Sequence, residues 1–157
     1  FKRCVMAIYE VVQIGDDILR AKAQDVKRFD DRLGKLLDDM ADTMYDAEGV
    51  GLAAPQIGIS KKVVVIDVGE GLIELVNPKI LESKGKQRGE EGCLSLKGKF
   101  GIVTRAYWVK VEAQDRKGNV FQIEGEEFLA RALQHEIDHL DGILYCDLAE
   151  EGSIREG

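Results

Sequence analysis

Residues 126–142 read EEFLARALQHEIDHLDG, and this stretch has the features of a helix from its acidic start to its last residue. Two glutamates at its beginning suit the positive end of a helix dipole, and Gly142 is the residue type that commonly follows a helix end. The chain has only two histidines, His135 and His139, and helical residues four positions apart project from the same face. The stretch therefore predicts a helix that presents two imidazoles, a common pair of metal ligands, on one side.

The residues around the two histidines favour a hydrolytic metal site over a solvated helix face. Glu136 follows His135 directly, and from a helix its carboxylate can reach a water molecule on an ion bound by both imidazoles. Ala132 and Phe128, three and seven residues before His135, are apolar, so the histidines lie on an apolar stripe. Buried imidazoles need polar partners, and a metal ion is one.

The other patterns predict a second helix and an antiparallel middle of the chain. Apolar residues recur at three- and four-residue steps over 30–46, after an aspartate that suits a helix cap. Segments 62–68 (KVVVIDV) and 73–76 (IELV) are rich in β-branched and aliphatic residues and are typical of a hairpin. Within 101–123, apolar residues on either side of a KGN turn predict two more paired strands. We therefore predict an α+β fold in which antiparallel sheets pack around a central helix bearing HExxH, with a second helix in the N-terminal half.

The size and charge of the chain limit the kinds of function it can have. A chain of 157 residues with 45% hydrophobic residues suits one catalytic domain that spans 1–157. Its net charge of −7 argues against nucleic acid or an anionic membrane as a partner. No apolar run approaches the ~20 residues that span a bilayer. We expect a cytoplasmic protein.

The cysteines do not suggest a disulfide framework. Cys4, Cys93 and Cys146 are an odd number, and the chain shows no export signal. Met6 and the alanine after it resemble a natural start, so we expect Phe1 to Val5 to be residues upstream of that start. Cys4 then needs no functional explanation, and at least one other thiol is free for chemistry.

A hydrolytic site with two histidines needs a third protein ligand, and several residues qualify. The pattern HExxHxxGxxH fails because Tyr145 stands where a third histidine is required. Glu150 or Cys146, downstream of the helix, would make the chain a small HExxH zinc endopeptidase. Cys93 lies in EGCLS at 91–95, a segment expected between strands where backbone N–H groups are available. Spacing alone leaves these candidates open, and a non-enzymatic metal-binding domain is a third interpretation.

Three motifs taken together resemble one enzyme family. GVGLAAPQIG at 49–58, EGCLS at 91–95 and QHEIDH at 134–139 are similar in sequence and order to the motifs of peptide deformylases. The resemblance extends from Val12 to about Leu148. It implies a metal-dependent amide hydrolase that removes the N-formyl group from the N-terminal formyl-methionine of nascent polypeptides and releases formate.

The resemblance also implies the metal and its ligands. It selects Cys93 as the third ligand beside His135 and His139. The ion is one divalent metal, Fe(II) in the cell, with Zn, Ni or Co able to replace it, and a thiolate with two imidazoles suits all of these.

The remaining site residues are implied by the same resemblance. Glu136 moves the protons, while the Gln56 amide and the backbone N–H of Leu94 face the oxygen that gains negative charge. An extended substrate would add to the backbone at 49–51 as an extra strand. The residues expected on the substrate side are Gly49, Val50, Gly51, Glu91, Phe128, Arg131 and Ala132.

Some expectations concern neighbours, partners and departures from the family pattern. Asp138 is expected to pair with Arg105, and Glu91 to orient a ligand imidazole. Lys97 and Asp17 stand where relatives often have proline, which affects the substrate rim and not the metal site. We expect formyl-methionyl peptides and nascent chains as partners, a transient ribosome contact at most, no nucleic acid or membrane partner, and a monomer.

Overall fold

The computed structural model of the protein describes residues 8–156, which form two antiparallel sheets and the helices that pack against them. The strands are β1 (Gly51–Ala53), β2 (Val63–Ile66), β3 (Ile73–Lys84), β4 (Gln87–Cys93), β5 (Leu96–Arg105), β6 (Trp108–Gln114), β7 (Val120–Glu126) and β8 (Arg155–Glu156). The helices are α1 (Asp31–Asp46), α2 (Glu127–Leu140) and α3 (Tyr145–Leu148), with one-turn 3-10 helices at Asp17–Arg20 and Ala54–Ile57. The predictions about Phe1 to Val5, Cys4 and Met6 lie outside the described residues. Within the part of the chain that the structure describes, no helix is both long and apolar enough to cross a membrane.

The larger sheet contains both of the predicted hairpins. Its strand order is β1-β2-β3-β6-β7, and every neighbouring pair is antiparallel. Strands β2 and β3 pair Val63 with Val76, and strands β6 and β7 pair Val111 with Ile123. The predicted strand that began at residue 101 is corrected, because residues 101–105 belong to β5 in the other sheet.

The smaller sheet was not predicted as a sheet, although it carries a candidate metal ligand. Its strand order is β4-β5-β8. The segment 91–95 does not lie wholly between strands as expected, because its first three residues end β4 and only Leu94 and Ser95 form the turn to β5. Cys93 is therefore held by strand pairing with Leu96 across that turn.

Helix α1 confirms the helix predicted over 30–46. The Asp30 carboxylate caps its start by accepting hydrogen bonds from two backbone N–H groups of the first turn. Its apolar face buries Leu33, Leu37, Met40 and Met44 in a core that also contains residues of β1 and β2. Burial of that face, and not the intrinsic propensity of the segment, accounts for most of the stability of this helix.

Helix α2 lies against strands of both sheets. Its side chains Leu133, Ile137 and Leu140 are buried in a core with Val64 and Leu75 of the larger sheet. It also contacts β5 of the smaller sheet. The fold class is therefore α+β with antiparallel sheets, as predicted, and the helix holds its residues within reach of the end of β4.

Gly142, in the turn after α2, packs closely against the backbone of Arg20, and substitution can test this packing. This glycine has φ +76°, and a Cβ there would lie 2.4 Å from the backbone oxygen of Arg20. Gly142→Ala is expected to lower the free energy of unfolding by about 2–5 kcal/mol, because backbone strain and a backbone clash add together. Gly152→Ala is the matched control, since Gly152 has φ +75° and open space around its Cβ position. Equal losses for the two variants in urea unfolding would show that the contact with Arg20 is unimportant.

Candidate metal centre and active site

Three ligand-type side chains converge where the end of β4 meets α2. Cys93 Sγ lies 3.4 Å from His139 Nε2, and His139 Nε2 lies 3.3 Å from His135 Nε2. The three atoms all lie within 4.8 Å of one another, and no other group of three such side chains is found in residues 8–156. Two ligand atoms on one tetrahedral ion are about 3.3–3.7 Å apart, given metal–nitrogen and metal–sulfur bonds of about 2.0–2.3 Å. The observed separations fit one divalent ion.

A buried network of charges fixes the orientation of His135. Glu91 Oε1 lies 2.7 Å from His135 Nδ1, an arrangement in which Nδ1–H donates and the Nε2 lone pair is left for an ion. Arg105 donates two hydrogen bonds of 2.8 Å to Glu91, and Arg131 donates a third at 2.6 Å. Arg105 also lies 2.5 Å from Asp138. The two contacts expected for Glu91 and Asp138 are therefore present.

The surroundings of the two imidazoles shift their pKa values in opposite directions. Burial lowers the pKa of His135, but Glu136, Cys93 and Glu91 outweigh burial and hold that pKa well above its ordinary value. Burial, reinforced by the charge on His135, lowers the pKa of His139 well below its ordinary value. Burial opposes ionisation of Glu91, yet hydrogen bonds from Arg105 and His135 lower its pKa. A cation bound at His135 Nε2 would have to compete with a proton there, so we expect acid to weaken the binding of such a cation.

Glu136 has the environment of an acid–base group. Burial raises the pKa of Glu136 to about 7, against the opposing charge of His135 and with Glu91 adding to the rise. Its Oε2 lies 3.9 Å from His135 Nε2, and among the described residues its Oε1 has no hydrogen-bond partner. A carboxyl group with a pKa near neutrality can both accept and return a proton during one reaction cycle.

The Gln56 side chain is buried with a fixed amide orientation. Its Oε1 accepts a hydrogen bond of 2.9 Å from the backbone N–H of Ala53. Its Nε2 donates to Ser95 Oγ at 3.1 Å and lies 3.5 Å from Cys93 Sγ. The amide N–H groups of Gln56 are therefore directed toward the ligand side of the site. Leu94, the other residue expected to face the substrate oxygen, begins the turn after Cys93.

The cluster opens into a cavity of about 480 Å³ between two backbone segments. Residues 47–51 line one side, residues 90–94 and 96–100 line the other, and side chains of α2 also line the cavity. Phe128 is 52% exposed and Val50 is 40% exposed, so these two lie at the surface and not in the core. The guanidinium of Arg131 is held by Glu91 inside the wall. All seven residues expected on the substrate side line this cavity: Gly49, Val50, Gly51, Glu91, Phe128, Arg131 and Ala132.

The other candidate ligands are engaged elsewhere. The sulfur of Cys146 lies 4.0 Å from the carboxylate of Asp147, on the short helix α3. The Glu150 carboxylate makes two hydrogen bonds with Arg88, at 2.5 and 2.8 Å. Neither residue belongs to the cluster of ligand atoms in the described part of the chain.

Two residues near the cluster, Tyr145 and Ser95, were assigned no role in the site by the sequence analysis. Tyr145 was considered only as a failed third histidine, but its ring stacks on His135 with centroids 6.2 Å apart. Its hydroxyl donates to the backbone oxygen of Lys99 at 3.1 Å. Ser95, which holds the Gln56 amide, lies inside the EGCLS motif, so the motif itself was an available signal.

Comparison with known proteins agrees with this geometry. The family model described as polypeptide deformylase matches residues 8–153 of the chain. The chain belongs to this family. It is therefore an enzyme, a hydrolase that removes the N-formyl group from nascent peptides.

Individual relatives support the assignment over nearly the whole chain. A peptide deformylase from Desulfitobacterium hafniense is 58% identical over 150 residues, which cover 96% of this chain and 100% of the relative. The crystal structure of a peptide deformylase from Legionella pneumophila has a TM-score of 0.89 at 49% identity and covers 92% of this chain and 88% of its own. That of the Thermotoga maritima peptide deformylase has a TM-score of 0.90 at 42% identity, with coverages of 91% and 98%.

Proposed function

We propose that Cys93, His135 and His139 hold one divalent metal ion in this deformylase, with Fe(II) as the ion in the cell and Zn, Ni or Co as possible replacements. The observation that carries this proposal is the spacing of 3.3 and 3.4 Å among the ligand atoms. A thiolate with two imidazoles suits each of these metals. When bound, the ion lowers the pKa of a water molecule and polarises the formyl carbonyl group.

In this proposal Glu136 is the residue that moves protons. One of its carboxylate oxygens accepts a proton from the water that attacks the formyl carbon. The same group then gives that proton to the amine as the carbon–nitrogen bond breaks, so that formate and a free N-terminus are formed. Its burial, its pKa of about 7 and the absence of a hydrogen-bond partner for its Oε1 within residues 8–156 support this role.

Backbone and amide donors complete the proposed site. The Gln56 side-chain N–H and the Leu94 backbone N–H donate to the formyl oxygen as negative charge grows there. The peptide lies along residues 49–51 as an added strand, because β1 is at the edge of the larger sheet. The methionine side chain contacts the cavity surface formed by Val50, Phe128, Arg131 and Ala132, and Glu91 holds Arg131 in that wall.

The domain organisation, oligomeric state and location of the enzyme belong to the same proposal. The described residues 8–156 form a single catalytic domain in which α2, with its HExxH sequence, is the central helix. The enzyme acts as a monomer in the cytoplasm on formyl-methionyl peptides and nascent chains, and any contact that it makes with the ribosome is transient.

Formate release from a formyl-Met peptide, by protein purified without oxygen, tests the proposal. Metal content is measured on the same sample, and we expect about one ion per chain together with equal amounts of formate and free amine. An acetyl-Met peptide is the control for simple amide hydrolysis at this site. Metal-loaded, folded protein that releases no formate would contradict the proposed function.

The approach of Gly51 to the proposed base gives a separate prediction. A Cβ at Gly51 would lie 2.5 Å from Glu136 Oε2 and 2.9 Å from its Cγ, so the buried carboxylate would have to move. Gly51→Ala is expected to lower kcat by about 10- to 100-fold with the metal retained, because catalysis depends on the position of the base. Gly34→Ala, whose Cβ has no contact closer than 3.6 Å, is the control and should keep full activity. An unchanged kcat in Gly51→Ala would show that catalysis does not depend on the position that the Glu136 carboxylate has in this structure.

A further inference from the structure

A three-residue bulge carries two lysines beside the metal cluster. Cys93 pairs with Leu96, and Gly92 pairs with Phe100, so residues 97–99 have no partner on β4. Gly98, at the centre of the bulge, has φ +74° and nothing within 4 Å of its Cβ position. The flanking residues Lys97 and Lys99 are exposed and line the mouth of the active-site cavity. We call residues 97–99 the lysine bulge.

The lysine bulge is anchored on the side away from the cavity. Lys99 and Phe100 pair with β8, and the Lys99 backbone oxygen accepts the hydroxyl of Tyr145 at 3.1 Å. A Cβ at Gly92 would lie 2.8 Å from the Phe100 ring, so that ring packs directly on the strand that ends at Cys93. The backbone of Lys99 is therefore held in place by β8 and Tyr145, and Lys97 lies two residues before it in the same bulge.

The charges of the lysines are not neutralised by ion pairs within residues 8–156. Among the acidic residues of the cavity, Glu90 pairs with Arg155, and Glu91 is bound by the buried arginines. Neither lysine has a salt bridge to any described residue, and neither does Glu48 on the opposite wall. Glu156 lies opposite Lys99 in the pairing of β5 with β8, whereas Lys97 has no partner residue on β4 or β8.

We propose that the lysine bulge selects formylated peptides with an acidic side chain one or two residues after methionine. This inference rests on the proposed function. An extended peptide advances about 3.3 Å per residue, so its second and third residues lie roughly 7–10 Å from the formyl group, in the cavity that Lys97 and Lys99 line. Charges at that range attract one another in water, and the effect is screened by salt.

The experiment compares formyl-Met-Glu-Ala, formyl-Met-Gln-Ala and formyl-Met-Lys-Ala, and the same set with the variable residue third. At low salt, kcat/KM for the glutamate peptide is expected to exceed that for the glutamine peptide by about two- to fivefold, and the lysine peptide should be the poorest. The difference should appear in KM with kcat unchanged, because a remote charge binds substrate and transition state equally.

Variants of the bulge separate its role from other charges. Lys97→Gln together with Lys99→Gln should bring the glutamate-to-glutamine ratio close to one, as should about 0.5 M salt. Glu48→Gln should increase the ratio. Lys61→Gln makes the same charge change outside the active-site cavity and should leave the ratio as in the wild type.

The outcomes distinguish this inference from the function on which it rests. If no peptide yields formate, the proposed function fails. If formate is released from every peptide at rates independent of the variable residue, or if the bulge variants keep the wild-type ratio, the lysine bulge does not select the substrate and the inference is wrong.

Discussion

Replacement of Glu136 by Gln is expected to lower kcat by at least about 10²-fold while the metal stays bound. The amide has nearly the same shape as the carboxylate but cannot accept the proton of the attacking water. Because Glu136 is buried and is not one of the three converging ligands, its replacement should leave the cluster intact. Single-turnover formate release and metal content on the same sample measure the two effects separately.

Glu124→Gln is the matched control for the same chemical change, since Glu124 is exposed on β7 outside the cavity. It should retain wild-type kcat. A Glu136→Gln variant with a similar kcat would remove Glu136 from proton transfer and would favour a different base.

Replacement of Cys93 by Ser is expected to have an equally large effect through the metal. A serine hydroxyl is a far weaker ligand than a thiolate at neutral pH, so the variant should lose its ion or bind it much more weakly. Formate release should fall by about 10²-fold or more at metal concentrations that saturate the wild type. Absorption spectra of the Co(II) forms provide a second measurement. The thiolate-to-metal band expected for the wild type should be absent from the spectrum of Cys93→Ser.

Cys146→Ser tests whether the effect belongs to Cys93 alone. Cys146 lies on α3 beside Asp147, outside the ligand cluster, and its replacement should change neither metal content nor activity. If Cys146→Ser lost the metal and Cys93→Ser kept it, the ligand assignment would be wrong and the interpretation as an endopeptidase would return.

The predictable part of the fold consists of elements whose pattern repeats along the chain. Helices α1 and α2 place apolar residues on one face, and the hairpin of β2 and β3 is rich in β-branched residues, so local sequence is sufficient for these elements. Strand β4 reads QRGEEGC and has no alternation of apolar and polar residues. Its glycines are explained by tertiary contacts: a Cβ at Gly89 would lie 3.3 Å from Arg131, and one at Gly92 would meet Phe100.

The candidate site also combines residues that local sequence predicts with residues that only the tertiary structure brings together. The two histidines and Glu136 are predictable from one helix because a helical turn fixes their relation. Cys93 is 42 positions before His135, and only the pairing of β4 with β5 brings it to the helix, so spacing could not separate it from Cys146. The resemblance to the family motifs implies Cys93, and in the described residues Cys93 lies with the two histidines whereas Cys146 does not. Tyr145 and the lysine bulge depend on strand register and turn geometry, and no motif in the sequence marks them.

The arginine network connects the two elements that carry the proposed metal ligands. Arg105 on β5 connects Glu91 on β4 with Asp138 on α2, and Arg131 adds a second connection to Glu91. Strand β4, which carries Cys93, and helix α2, which carries both histidines, are thus joined by ion pairs that do not depend on a bound metal. In small domains that unfold without their metal, the free energy of metal binding supplies the stability of the fold. We therefore expect the protein without metal to stay folded, and we expect one metal to replace another at the proposed site without unfolding of the chain.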